Sequence, residues 1–217
     1  MEFVKRNYPA EFRAEEASGL IEGVPIVFDS PTDIGGMFQE TICRGAIAKG
    51  ILENDVHFYY NHDLNGKPIA RSIIPIEKKG GMVFEITDTG VRMRANPNRQ
   101  RTDVNDLCLA IEDGTISGMS FMFGVEEERW EDMDTDYPKR FITKISPIVE
   151  VSAVNYPAYK ATEIHARGNE ATDSDLATLE RMRHTREALA ETHAQEQREL
   201  ELLKIKAQYL TYGGTRP

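Results

Sequence analysis

The stretch GTISGMSFMFG, residues 114–124, decides how the body of this chain is built. Extended, it divides into two faces. Ser117, Met119, Phe121 and Phe123 share one face, which reads as a core face. Gly118, Ser120, Met122 and Gly124 share the other. There Ser120 stands among glycines, with room beside its hydroxyl. A nucleophile needs that room, because a peptide carbonyl must approach it closely. The pattern equally suits a plain strand serine whose glycines admit a neighbouring backbone. Ser117, on the opposite face, is the alternative nucleophile.

Working outward, the same strand continues through VEEERWE. Upstream, Thr102 or Asp103 is placed to cap a helix through DVNDLCLAIED that stops at Gly114. Downstream, an acidic loop leads to RFITKISPIVEVSAVNYPA, which predicts one or two strands ended by Pro157. Val149, Val151 and Ala153 fall on one face, Glu150 and Ser152 on the other. A carboxylate inside VEVSAV is unusual, since buried Glu needs a partner. It can orient a histidine, as the acid of a Ser-His-acid triad does, or face solvent from an edge strand. Further out, GMVFEITDT and VRMRAN predict a hairpin at Thr89-Gly90, and DVHFYYNHD a strand. ETICRGAIAKGILEN predicts a short helix ending near Gly50 or Asn54. GLIEGVPIVFDS predicts a strand pair entering a turn at Ser30-Pro31. His62 ends the aromatic strand and enters a polar turn, where a histidine can titrate near neutrality and serve as a general base. An ordinary turn held by Asn61 and Asp63 is the competing reading. The fold class is α+β, mainly β.

Composition changes at Gly168. Residues 169–210 lack Gly and Pro and are dominated by strong helix formers. The chain therefore divides into a body, 1–168, and a helical tail, 169–217. Thr172 followed by Asp175 has the form of a capping box. Leu179, Met182, Leu189, Leu200, Leu203 and Leu210 fall on one heptad seam, but Arg186, His193 and Glu196 interrupt it. The helix reads as either solvated or paired, which leaves a homodimer open.

A net charge of -10, from 26 Lys and Arg against 36 Asp and Glu, argues against a nucleic-acid partner. Two cysteines, Cys43 and Cys108, make neither a disulfide framework nor a zinc ribbon. Cys108 reads as a core residue of its helix. The opening MEFVKRNYPAEF has no apolar signal-peptide core, and no apolar run suits a bilayer. His57, His62 and Asp63 do not have standard zinc spacing. EDMDTDYPKRFIT lacks the glycine and glutamate of a calcium loop.

From about residue 9 to residue 167, these motifs in their order resemble the tailed-phage prohead (capsid-maturation) serine protease family. The resemblance is carried by GLIEGVPIVFDS, RGAIAKGI, NHD followed by PIAR, GTISGMSFMFG and VEVSAVNYPAY. It implies His62 and Ser120 as catalytic residues and Glu150 as the third member. In the related herpesvirus assembly proteases a second histidine holds that third place, for which His165 is the candidate. Ala70 stands where the family often has glycine before arginine, and Arg71 is open to a role in positioning or substrate binding. The resemblance also implies a small, partly open β-barrel flanked by helices, like the herpesvirus protease. It implies no cofactor and no metal. The expected partners are the phage major capsid protein and its scaffold segment, with cleavage of the chain itself, inside the assembling prohead in the host cytoplasm. No membrane partner is expected. A capsid-assembly module without catalysis is the rival reading, and the separation of Ser120 from His62 discriminates the two.

Overall fold

The two longest strands are the apolar alternation from Gly118 to Glu131 (β10) and the run from Lys139 to Val154 (β11). They pair antiparallel through an acidic loop, and the rest of the sheet is organised on them. A computed structural model of the chain describes residues 3–8, 12–14, 19–155 and 171–212. Before β10 come β1 (Phe3–Tyr8), β2 (Phe12–Ala14), β3 (Ile21–Val27), β4 (Thr32–Ile34) and β5 (Phe38–Ile42). They are followed by β6 (His57–Tyr60), β7 (Ala70–Arg71), β8 (Gly81–Ile86) and β9 (Gly90–Asn96). Helix α1 (Thr102–Glu112) enters β10, and helix α2 (Asp173–Tyr212) follows the body.

The strand order is β1-β10-β11-β6-β7-β8-β9-β3-β2, with β5 on β11 and β4 on β5. Because β3 returns against β10 and β1, the sheet curls into a half-barrel. Its concave side holds Ile21, Ile26, Phe58, Met93, Phe121 and Val151, all without exposure. Phe121 and Phe123 stack at 4.5 Å on the face assigned to the core by alternation. The molecule is mainly β, with two helices among the described residues.

Three local expectations are corrected. GLIEGVPIVFDS forms one strand, β3, rather than a pair, because a register shift between Gly23 and Ile26 carries the chain past Pro25. The first residues of ETICRGAIAKGILEN are strand: Glu40, Thr41 and Ile42 pair with Arg140, Phe141 and Ile142. Gly45, at φ 88°, turns the chain, so only Lys49–Ile51 makes a single 3₁₀ turn. Helix α1 has Arg101 at its N-cap with no side-chain cap bond. The Asp103 carboxylate takes the Arg101 guanidinium instead, at 2.6 Å, which holds Asp103 below the usual carboxylate range.

Helix α2 opens with a reciprocal cap. Thr172 N–H donates to Asp175 Oδ2 at 2.9 Å, and Asp175 N–H donates to Thr172 Oγ1 at 3.3 Å. The boundary at Gly168 lies outside the described residues. The first turns of α2 dock on the body. Asp175 is buried, Leu179 and Met182 line a small cleft with Met37 and Met133, and Arg186 reaches Asp136 at 3.2 Å. Leu189, Leu200 and Leu203 are exposed beyond that. No helix among the described residues is long and apolar enough to cross a membrane.

Candidate active site

Register places the site. β10 faces β11 with Ser120 opposite Ser152 and Met122 opposite Glu150. Directly opposed residues of an antiparallel pair share a face. Ser120, Ser152 and Glu150 therefore project from the same side of the sheet, away from Phe121 and Val151. All three are fully buried. β6 lies parallel on the other edge of β11 and ends at Tyr60, level with Ala153. The chain then turns through Asn61 (φ 49°) and His62 (φ 57°), both in the left-handed region. That turn brings the imidazole over the face that carries the serine and the acid.

Several bonds hold this unusual backbone. Asn61 N–H donates to Ala153 O at 2.9 Å, and Asp63 N–H to Tyr60 O at 3.1 Å. His62 N–H donates to Ser152 Oγ at 3.2 Å, and Asn155 N–H donates to the Asn61 side-chain oxygen at 3.2 Å. The Asn61 and Asp63 side chains thus brace the turn that presents His62, as the turn reading of NHD expects.

His62 Nδ1 lies 2.6 Å from Glu150 Oε1, and its Nε2 lies 2.7 Å from Ser120 Oγ. The carboxylate accepts only, so the proton of a neutral imidazole sits on Nδ1. The Nε2 lone pair is then free to accept the serine hydroxyl. The second Glu150 oxygen accepts from Ser152 O–H at 2.5 Å. The ring is 12% exposed, whereas the acid behind it is not exposed at all. This arrangement can take a proton from a serine, hold the resulting imidazolium against a buried carboxylate and return the proton.

The other candidates lie elsewhere. Ser117 precedes β10 and is not part of this cluster. His57 is engaged by Tyr59 Oη at 2.9 Å and Asp55 at 3.1 Å. Arg71 pairs with Asp55 at the far end of β6 from His62, and its guanidinium holds Asp55 below the usual carboxylate range. Ala70 is buried beside Phe58. Cys108 is buried in the core, and burial pushes its thiol above the ordinary range, away from nucleophilic use. His165 lies outside the described residues. Among the described residues, no group of three or more His, Cys, Asp or Glu is placed to hold a metal ion.

Sequence reasoning misses two features. Ser152 stands on the Glu150 face by simple alternation, but nothing local ties it to both the acid and the His62 backbone. The second is Arg6 of β1, fully buried, whose guanidinium donates to both Glu40 oxygens at 2.6 and 3.0 Å. Arg140 joins it, donating to Glu40 at 3.1 Å, Asp175 at 2.6 Å and Glu128 at 2.5 Å. The Arg6 carbonyl lies 3.0 Å from Ser120 Oγ. No isolated arginine in FVKRNY signals either contact.

No curated protein and no solved structure matches the chain. A family model does: residues 8–175 fit the caudovirus prohead serine protease. That span covers most of the chain, including Ser120, His62 and Glu150, and the protein therefore belongs to this family of serine peptidases of phage capsid maturation.

Proposed function

We propose that the chain is a serine endopeptidase with Ser120 as nucleophile, His62 as general base and acid, and Glu150 as the orienting carboxylate. The observation that supports it best is the continuous path from Ser120 Oγ through both ring nitrogens of His62 to Glu150, at 2.7 and 2.6 Å. His62 Nε2 removes the hydroxyl proton as Ser120 Oγ bonds to the scissile carbonyl carbon. The tetrahedral adduct collapses, the C–N bond breaks, and the imidazolium gives its proton to the leaving amine. Water then attacks the acyl-serine, with His62 again taking and returning a proton. Glu150 keeps the Nδ1–H tautomer and offsets the charge of the imidazolium. Ser152 holds the second carboxylate oxygen.

Family membership supports scaffold and capsid-protein segments as substrates, cut inside the assembling prohead in the host cell, with self-cleavage of the tail as part of the same activity. The 1–168 body acts as the protease unit and the helix after it as a scaffold-like segment. Glu150 fills the place that a second histidine takes in the herpesvirus proteases. The test is Ser120→Ala beside the native chain, each incubated with capsid protein and followed by intact mass. The native chain should give discrete fragments. The variant should fold normally and lose about a million-fold in rate, which leaves no fragments. Cleavage at the native rate by folded Ser120→Ala would overturn the assignment.

A further inference from the structure

Ser120 cannot meet a substrate in this arrangement. Its side chain has no exposure, and both edges of its strand are occupied, by β11 and by β1. In β1, Asn7 stands opposite Ser120, and the Arg6 carbonyl lies 3.0 Å from the hydroxyl. A serine has one O–H proton. Donated to the Arg6 carbonyl, that proton is withheld from His62 Nε2 and the nucleophile is not activated. β1 is an extended peptide lying antiparallel along the strand that carries the serine, with a main-chain carbonyl at the hydroxyl. That is how a protease holds a substrate strand, short of the attack geometry.

We propose that the β10 edge now covered by residues 3–8 is the substrate-binding edge, and that its ligand is an extended polypeptide segment carrying a basic side chain. The inference rests on the assignment of Ser120 as nucleophile. The chemistry of the ligand follows from the charge left when β1 departs. Arg6 is held by Glu40, with Asp175 at 3.5 Å. Without Arg6, two fully buried carboxylates, Glu40 and Asp175, keep Arg140 as their one cationic partner among the described residues, and Arg140 also serves Glu128. An uncompensated charge in such a place is costly. The segment that replaces β1 must bring a cation to the same place, and an arginine or lysine side chain does so. β1 is then the resting occupant of the chain's own binding site. Because it is tethered, it holds the edge at high effective concentration until a substrate or a rearrangement of α2, which supplies Asp175, displaces it.

The experiment uses the full chain and a fluorophosphonate that labels activated serines, read by intact mass. The Arg6→Gln chain should label at Ser120 at least about tenfold faster than the native chain, the equivalent of one charge-assisted hydrogen bond. A synthetic peptide of residues 3–8 should suppress that labelling at about tenfold lower concentration than the same peptide with glutamine for arginine. Lys5 and Met122 are directly opposed, so the pair Lys5→Cys and Met122→Cys provides a lock that leaves the buried charges intact. Oxidised, that chain should not label; reduced, the same sample should. Equal labelling of the oxidised and reduced lock, or equal protection by the two peptides, would overturn the inference while leaving Ser120 as the nucleophile. Absence of labelling in every folded form, reduced lock included, would remove the nucleophile assignment and the inference with it.

Discussion

His62 sits in a backbone conformation that costs a non-glycine residue about 1–3 kcal/mol, and its neighbour Asn61 shares it. Ser152 helps to hold it there, because one hydroxyl accepts from His62 N–H and donates to Glu150. Ser152→Ala should therefore lower kcat by about tenfold with little change in KM, the worth of one hydrogen bond to a charged group. Steady-state kinetics on a capsid-derived peptide separate the two constants, and a change confined to KM would assign Ser152 to substrate binding instead. Glu150→Gln keeps the shape but lets the imidazole take the wrong tautomer. It should cost about ten-thousand-fold in kcat, clearly less than the loss at Ser120. If Glu150→Gln leaves the rate unchanged and His165→Ala abolishes it, the third member is a histidine. Glu150, His62 and Ser120 are legible as candidates because each breaks its local pattern: a Glu in an apolar strand, a His at a strand end, a Ser among glycines. Ser152 is not legible, because a serine beside an alanine breaks nothing.

Helix α2 behaves as two segments. Asp175 closes the capping box and is buried against Arg140 and Arg6, and the docked portion runs on to Arg186. Past it, Leu200 and Leu203 are more than half exposed. Composition makes a helix legible from residue 169 onward, and Thr172 marks its start. Docking is not legible, since the partners of Asp175 lie 35 and 169 residues away in sequence. Asp175→Ala leaves a buried arginine short of a partner and should destabilise the fold by about 3–5 kcal/mol. Leu200→Ala should change stability by less than about 0.5 kcal/mol. Urea unfolding measures both. By the same reasoning a chain ending after Glu187 should melt close to the native chain, whereas one ending at Gly168 should melt well below it. Equal melting of the two shortened chains would show that the docked turns contribute nothing.

For the molecule as a whole, contacts between distant segments decide how the sheet curls and which groups titrate. The loop between β10 and β11 reaches β4, where Tyr137 donates its hydroxyl to Asp33. Burial and that carboxylate push the Tyr137 phenol up to about 12. An unfolded tyrosine ionises near ~10, so the folded state favours the protonated phenol. The stability from this contact is complete below about pH 10 and is lost as pH rises through about 12. Titration followed by tyrosinate absorbance should show a late-ionising phenol in the folded chain that Tyr137→Phe removes. Persistence of that phase in the variant would assign it to another tyrosine. By itself the sequence determines what short-range chemistry can encode: alternation in β10 and β11, the Thr89-Gly90 hairpin, the helical tail, and the three side chains proposed for catalysis. Tertiary structure alone decides what depends on register between distant strands. A one-residue slip of β11 against β10 would turn Glu150 and Ser152 away from Ser120. Strand pairing with Arg140–Ile142 likewise makes Glu40–Ile42 a strand where local propensity allows a helix. The Arg6 carbonyl meets the Ser120 hydroxyl across 114 residues of chain. Such meetings have no local signature, because their energy comes from burying paired backbone and matched charge only once the sheet has closed.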